Sequence, residues 1–227
     1  MNIECPSKSE LVDAFRCRLA FKNRSVTMVF VLVILLWYFV EIAVVLLGWD
    51  VNRFQWMFTT ESFPQLSPGL SLAIISHALP PRTTHLLGNV AALWILGGES
   101  EQHMSSLEFA AFFLMTSQAS VLAGTALTGE NTLGASGGVM ALLGFYCTHL
   151  LVTHRDRYDF EALGGESVSL STYRGVILVL TPVVFLPYLS GQAVGFIPSG
   201  RSDAIGHLTG FVCGICYAAL RDLYGRS

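Results

Sequence analysis

The sequence predicts an all-α membrane protein folded as one compact six-helix bundle. The first reason is composition: 52% of its 227 residues are hydrophobic and only 13% are charged, whereas an ordinary soluble domain carries roughly 25% charged residues. The second reason is pattern. Uncharged or nearly uncharged stretches recur along the chain, most of them at least the roughly 17 residues that a helix needs to cross about 30 Å of hydrocarbon. The same numbers exclude other classes. An intrinsically disordered chain would need a polar bias. A nucleic-acid binder would need a basic balance, and here 13 Lys+Arg face 16 Asp+Glu for a net charge of −3. Five cysteines in a chain of this length are too few for a disulfide scaffold.

Residues 1–24 form a polar, basic segment carrying Lys8, Arg16, Arg18, Lys22 and Arg24. Leu11, Phe15 and Leu19 recur there at four-residue spacing. A short helix on the membrane surface and a tail with chance spacing fit that pattern equally. The segment does not read as a cleavable signal peptide, because the apolar run begins late and is too long. Spans are expected at 26–47, 83–98, 109–127, 133–153, 175–197 and 204–220. The second is short, bounded by Arg82 and Glu99, which suits a helix whose outer end meets water or protein. A tail, 221–227, closes the chain, and no seventh span is expected. The division is thus a cytoplasmic segment 1–24, a membrane domain 25–220 and a short cytoplasmic tail.

Orientation follows from the basic residues. With both termini inside, the cytoplasmic side holds Lys8, Arg16, Arg18, Lys22, Arg24, Arg155, Arg157, Arg174, Arg221 and Arg226, and the outer side only Arg53, Arg82 and Arg201. The connection 48–82 becomes a long outer loop whose Trp49, Phe54, Trp56, Phe58 and Phe63 suit the lipid interface. Cys147, Cys213 and Cys216 fall in apolar stretches and read as small buried hydrophobes. Cys213 and Cys216 make a CxxC, but no second Cys or His pair lies beside it at ligand spacing. No metal and no other cofactor are implied.

Polar groups inside a membrane are costly and mark function. The second, fourth and sixth spans all enter from the outer side, and each carries its unusual polar residues near its beginning: His85 and Asn89, Ser136, and His207. At about 1.5 Å per residue these lie at similar depth, in the outer half of the bilayer. Ser136 sits in Gly134-Ala135-Ser136-Gly137-Gly138, and His207 in Gly206-His207-Leu208-Thr209-Gly210, followed by Gly214. Gly134/Gly138 and Gly206/Gly210/Gly214 repeat at four-residue spacing, which lets membrane helices touch backbone to backbone. Such contact brings a hydroxyl, a poor nucleophile unaided, to an imidazole able to take its proton. The free N–H groups at the start of the Ser136 helix, with Asn89 and His85, can then face a developing oxyanion. Taken singly, Ser136 reads as a helix-packing residue, His207 as a satisfied core histidine and Asn89 as interhelical glue. Only their joint placement points to chemistry.

His85-Leu86-Leu87-Gly88-Asn89, Gly134-Ala135-Ser136-Gly137 and Gly206-His207-Leu208-Thr209-Gly210-Phe211-Val212-Cys213-Gly214, in that order, resemble the motifs of the rhomboid intramembrane serine proteases over about residues 50–220. The resemblance implies a six-helix, multi-pass protein of the cell membrane that cuts transmembrane protein substrates near the outer face of the lipid bilayer, with no nucleic-acid partner. It implies Ser136 as nucleophile, His207 as general base, and Asn89, His85 and the Ser136 N–H as oxyanion hole. Glu101 matches a structural acidic position of the family. The fifth span resembles a mobile element that admits substrate sideways, and Pro182 and Pro187 weaken its helix. Two positions depart from the pattern. Met140 stands where an aromatic residue often underlies the histidine, and Trp56 is followed by Met57 where many members have Trp-Arg. Asp203, one turn before His207, and Glu41, in the outer half of the first span, are further acids that can in principle orient the imidazole, although the resemblance implies a dyad. Asp203 otherwise reads as a loop charge or N-cap, and Glu41 as a water-facing or interhelical group. A non-catalytic rhomboid-like protein that escorts membrane helices is the main rival. A transporter or channel is the remoter one, because it would need a polar path through the inner half as well.

Overall fold

The computed structural model describes residues 24–49, 83–129, 134–153, 181, 186–193 and 201–225, and every regular element among them is helical. Helix α1 is Ser25–Leu46. Its 22 residues include no Gly or Pro, and it buries one stripe, Thr27, Val31, Ile34, Tyr38 and Glu41, at the alternating three- and four-residue spacing of a helix face. Leu32, Leu36 and Phe39 on its other side are exposed, as a face turned to lipid would be. The helix stops at Gly48, whose φ of +75° is the left-handed conformation in which glycine ends helices.

Helix α2 is Thr83–Ala92. The expected span 83–98 is not one regular α-helix and does not stop at 98: after Ala92 come a π turn, Leu93–Gly97, a further α turn, Gly98–Ser100, and a 3-10 turn, Glu101–His103. Helix α3, Ser106–Thr128, opens on a capping box. The Glu108 N–H donates to Ser105 Oγ at 3.3 Å, and the Ser105 N–H to Glu108 Oε2 at 3.0 Å, so two otherwise orphan donors are satisfied. Its end is Gly129, again left-handed at φ +71°. Helices α4, Ser136–Thr153, α5, Leu186–Ala193, and α6, Arg201–Gly225, complete the described elements. Three stretches are long and apolar enough to cross a membrane, Ser25–Leu46, Ser106–Thr128 and Asp203–Leu223, and Ser136–Val152 is a shorter apolar helix.

Side-chain contacts fix the directions. Phe30, near the start of α1, packs on Phe109 and Phe113, near the start of α3, so these two run parallel. At the end of α6, the Tyr217 hydroxyl donates to Glu108, and Arg221 pairs with the same carboxylate at 3.5 Å; α6 is therefore antiparallel to α3. His149, late in α4, meets His103 with ring centroids 4.2 Å apart, which aligns α4 with α6. Because α4 and α6 point the same way, residue 153 and residue 201, the two ends of the stretch between these helices, lie toward opposite ends of the bundle. The described parts of that stretch are α5, which packs on α6, and Thr181, whose hydroxyl lies 3.9 Å from Cys147 Sγ.

Helix α4 is central. Ala141, Leu142, Phe145 and Tyr146 are sealed between α3 and α6, and a helix apolar all round belongs in such a position. Glu101 ties α1 to the bundle. One carboxylate oxygen accepts from the Val26 N–H at 2.9 Å, and the other from the Thr27 N–H at 2.9 Å and the Thr27 hydroxyl at 2.8 Å. A carboxylate supplied by another element thus satisfies the free donors of the α1 N-terminus and complements its dipole. The basic segment 1–23, the outer-loop aromatics beyond Trp49, Pro182 and most of the expected fifth span lie outside the described residues.

Candidate functional site

The site is built from the end of the bundle opposite Glu101. Gly134 has φ +109°, a conformation a side chain would strain, and it turns the chain into α4. Ser136 is the first helical residue, and the first backbone bond runs from the Val139 N–H to the Ala135 carbonyl at 3.1 Å. The N–H groups of residues 136–138 are therefore the free donors at a positive helix end.

Backbone contact between α4 and α6 sets the height of His207. A Cβ at Gly210 would collide with the Gly137 carbonyl oxygen, one at Gly214 with that of Ala141, and one at Gly144 with that of Phe211. The three pairs have sequence offsets of 73, 73 and 67 (210 − 137, 214 − 141 and 211 − 144), centred on 71. That is the separation of Ser136 and His207 in sequence (207 − 136). The two residues thus lie at nearly one height on parallel, touching helices. Both are half-buried, so the place is neither sealed nor fully open. Among the described residues no hydrogen bond joins the Ser136 hydroxyl to the His207 ring, and apo sites often close such bonds only around substrate.

The remaining expected residues fall around this pair. The charges of Asp203 and His85 both lie within electrostatic reach of His207. Asn89 is buried and His85, one turn beyond it on α2, is exposed; α2 touches α4. Met140 packs with Ala204, Leu208 and Phe211, residues on either side of His207 along α6. Asp203 is in the first turn of α6 and half-buried. Glu41 is fully buried, which fits an interhelical group and not a water-facing one. Trp56 and Met57 lie outside the described residues.

The glycines divide their tasks differently from the expected pattern. Gly138 does not face α6: a Cβ there would strike Ser117 Oγ and Phe113 of α3. Gly137 is the notch residue on that side too, since its Cβ would strike Ser120. Gly134 serves the turn, and Gly206 is buried. Cys147 is buried as expected, but Cys213 is half-buried and Cys216 exposed on the outside of α6. Sequence reasoning missed Ser117, Ser120 and Gly144, because a serine or glycine in an apolar run does not say which neighbour it faces. It also missed Arg24, read as a cytoplasmic basic residue; only 3% of it is exposed.

A helical bundle with this apolar exterior is an integral membrane protein. A family model for the rhomboid domain matches residues 69–222, about two thirds of the chain, and the protein belongs to the rhomboid family. No curated protein matches it.

Proposed function

We propose that this protein is an intramembrane serine endopeptidase that hydrolyses peptide bonds in or near transmembrane helices of other membrane proteins. The observation that carries the proposal is the backbone contact of α4 and α6, with Ser136 and His207 at nearly one height. In this reading Ser136 Oγ attacks the scissile carbonyl while His207 takes its proton. The N–H groups at the start of α4, with Asn89 and His85, stabilise the oxyanion. His207 then returns the proton to the leaving amine, and water from the outer side releases the acyl product. No metal or other cofactor takes part. A helical substrate hides its carbonyls in hydrogen bonds, so segments that unwind easily in the outer leaflet are favoured. The parallel run of α4 and α6 supports a fifth span between them and hence six. With Glu101 and Arg24 at the inner end, both termini are cytoplasmic and the cell membrane is the expected location. The same reading takes 25–220 as one membrane domain, flanked by the segments 1–24 and 221–227.

The test is reconstitution into liposomes with a panel of single-span substrates and mass spectrometry of the products. The expected result is a cut in the outer half of the substrate helix, abolished in Ser136→Ala and in His207→Ala. Binding of those helices without any product would support the rival, a rhomboid-like protein that escorts membrane helices.

A further inference from the structure

A buried arginine grips the helix that carries Asn89. Arg24 precedes α1 and is 3% exposed. Its Nη1 donates to the Trp94 carbonyl at 2.6 Å, and its guanidinium carbon lies 5.6 Å from the centre of the Trp94 ring. Both contacts fall inside the π turn Leu93–Gly97, where the Gly98 N–H bonds to the Ile95 carbonyl instead of that of Trp94. The guanidinium thus takes up an acceptor that an uninterrupted α-helix would pair with Gly98. The fit is matched from the other side as well: a Cβ at Gly98 would collide with Nη1, Cζ and Nε of Arg24. Thr27, three residues on, packs against Gly97 and is bound by Glu101, so the π turn is held along its length by the start of α1.

A π turn inserts one residue into a helix, and one residue is about 100° of rotation. Everything on the far side of the turn is therefore set by whether the turn is present and where it lies. Asn89 is five residues before Trp94, about 7.5 Å along the axis, and His85 lies one turn further on the same face. We propose that Arg24 is a positioning residue for this arm: by occupying the π turn it fixes the direction in which Asn89 and His85 face. The role in turnover rests on the oxyanion part assigned to Asn89 above; the role in orientation does not.

The test uses the full chain in liposomes and has two parts. Arg24→Gln is expected to lower kcat about tenfold or more while KM changes little, part of the loss seen when an oxyanion donor is removed outright. In an Asn89→Ala background the same change should cost several-fold less, because one of the two groups through which it acts is already gone. Equal losses in both backgrounds would overturn the proposal. Arg24→Lys keeps the charge but not the planar fork and should restore little. The second part needs no turnover. With the five native cysteines replaced by serine, the thiol of Asn89→Cys should react several-fold faster with a small methanethiosulfonate when Arg24→Gln is added. An unchanged rate would overturn the orientation claim. A wild type that never cleaves but shows the rate difference would defeat the protease reading alone. Should Arg24→Gln not fold, Gly98→Ala displaces the guanidinium from the other side and is read by the same labelling.

Discussion

Gly210 shows how much one hydrogen decides. The α6 backbone lies against the Gly137 carbonyl, so a methyl at position 210 must push two closely packed helices apart. Overpacking of this kind costs about 1–3 kcal/mol, and here it also separates the serine from the histidine. Gly210→Ala is expected to lower the melting temperature in detergent and to reduce peptide-bond cleavage more than tenfold, about the loss expected when catalytic groups are misplaced by about an ångström. Gly88→Ala is the control. Nothing lies within 4 Å of a Cβ there, and alanine is the better helix former by about 1 kcal/mol, so stability should hold or rise. Equal destabilisation by the two would contradict the contact. The repeat Gly206/Gly210/Gly214 could be read from the sequence because small residues at four-residue spacing have few other uses in a membrane helix. What it touches could not. Spacing defines a face but not its partner, which is why Gly138 proves to meet Ser117 on α3.

At the scale of elements, the start of α1 depends on a residue 74 positions away in sequence, since both oxygens of Glu101 accept from residues 26 and 27. Glu101→Gln keeps the shape but replaces one acceptor oxygen by an amide donor facing other donors. Hydrogen bonds to a charged group contribute about 1.5–3 kcal/mol each. The variant should therefore lose about 2–3 kcal/mol, or several degrees in melting temperature for a chain of this size. An unchanged melting curve would show that the cap does not hold α1. The helical stretches themselves were legible, because long apolar runs have no other stable form in lipid. The irregularities were not. The π turn at Leu93–Gly97 lies where Arg24 meets Trp94 and Gly98 in space, and no periodicity within α2 announces it. Arg24 looked like one more positive charge at the membrane edge, and burial between Trp94 and Gly98 is a tertiary event.

Across the whole molecule, one end of the bundle is held by charge and the other carries the proposed catalytic pair. Glu101, the Tyr217–Glu108–Arg221 cluster and Arg24 gather where α1 and α3 begin and α6 finishes. Ser136, His207 and Asp203 lie at the opposite end, where α4 and α6 start. That separation was readable because the stretches that form α2, α4 and α6 each carry their polar residues early. The family motifs supplied the order but not the distance between the groups. The central claim is that Ser136 is a nucleophile made reactive by His207, and the most direct measurement is peptide mass mapping after treatment with a fluorophosphonate. The account predicts a single covalent adduct on Ser136 in the wild type and none in His207→Ala. A wild type that takes up no label, or an adduct that forms equally well without the imidazole, would contradict it.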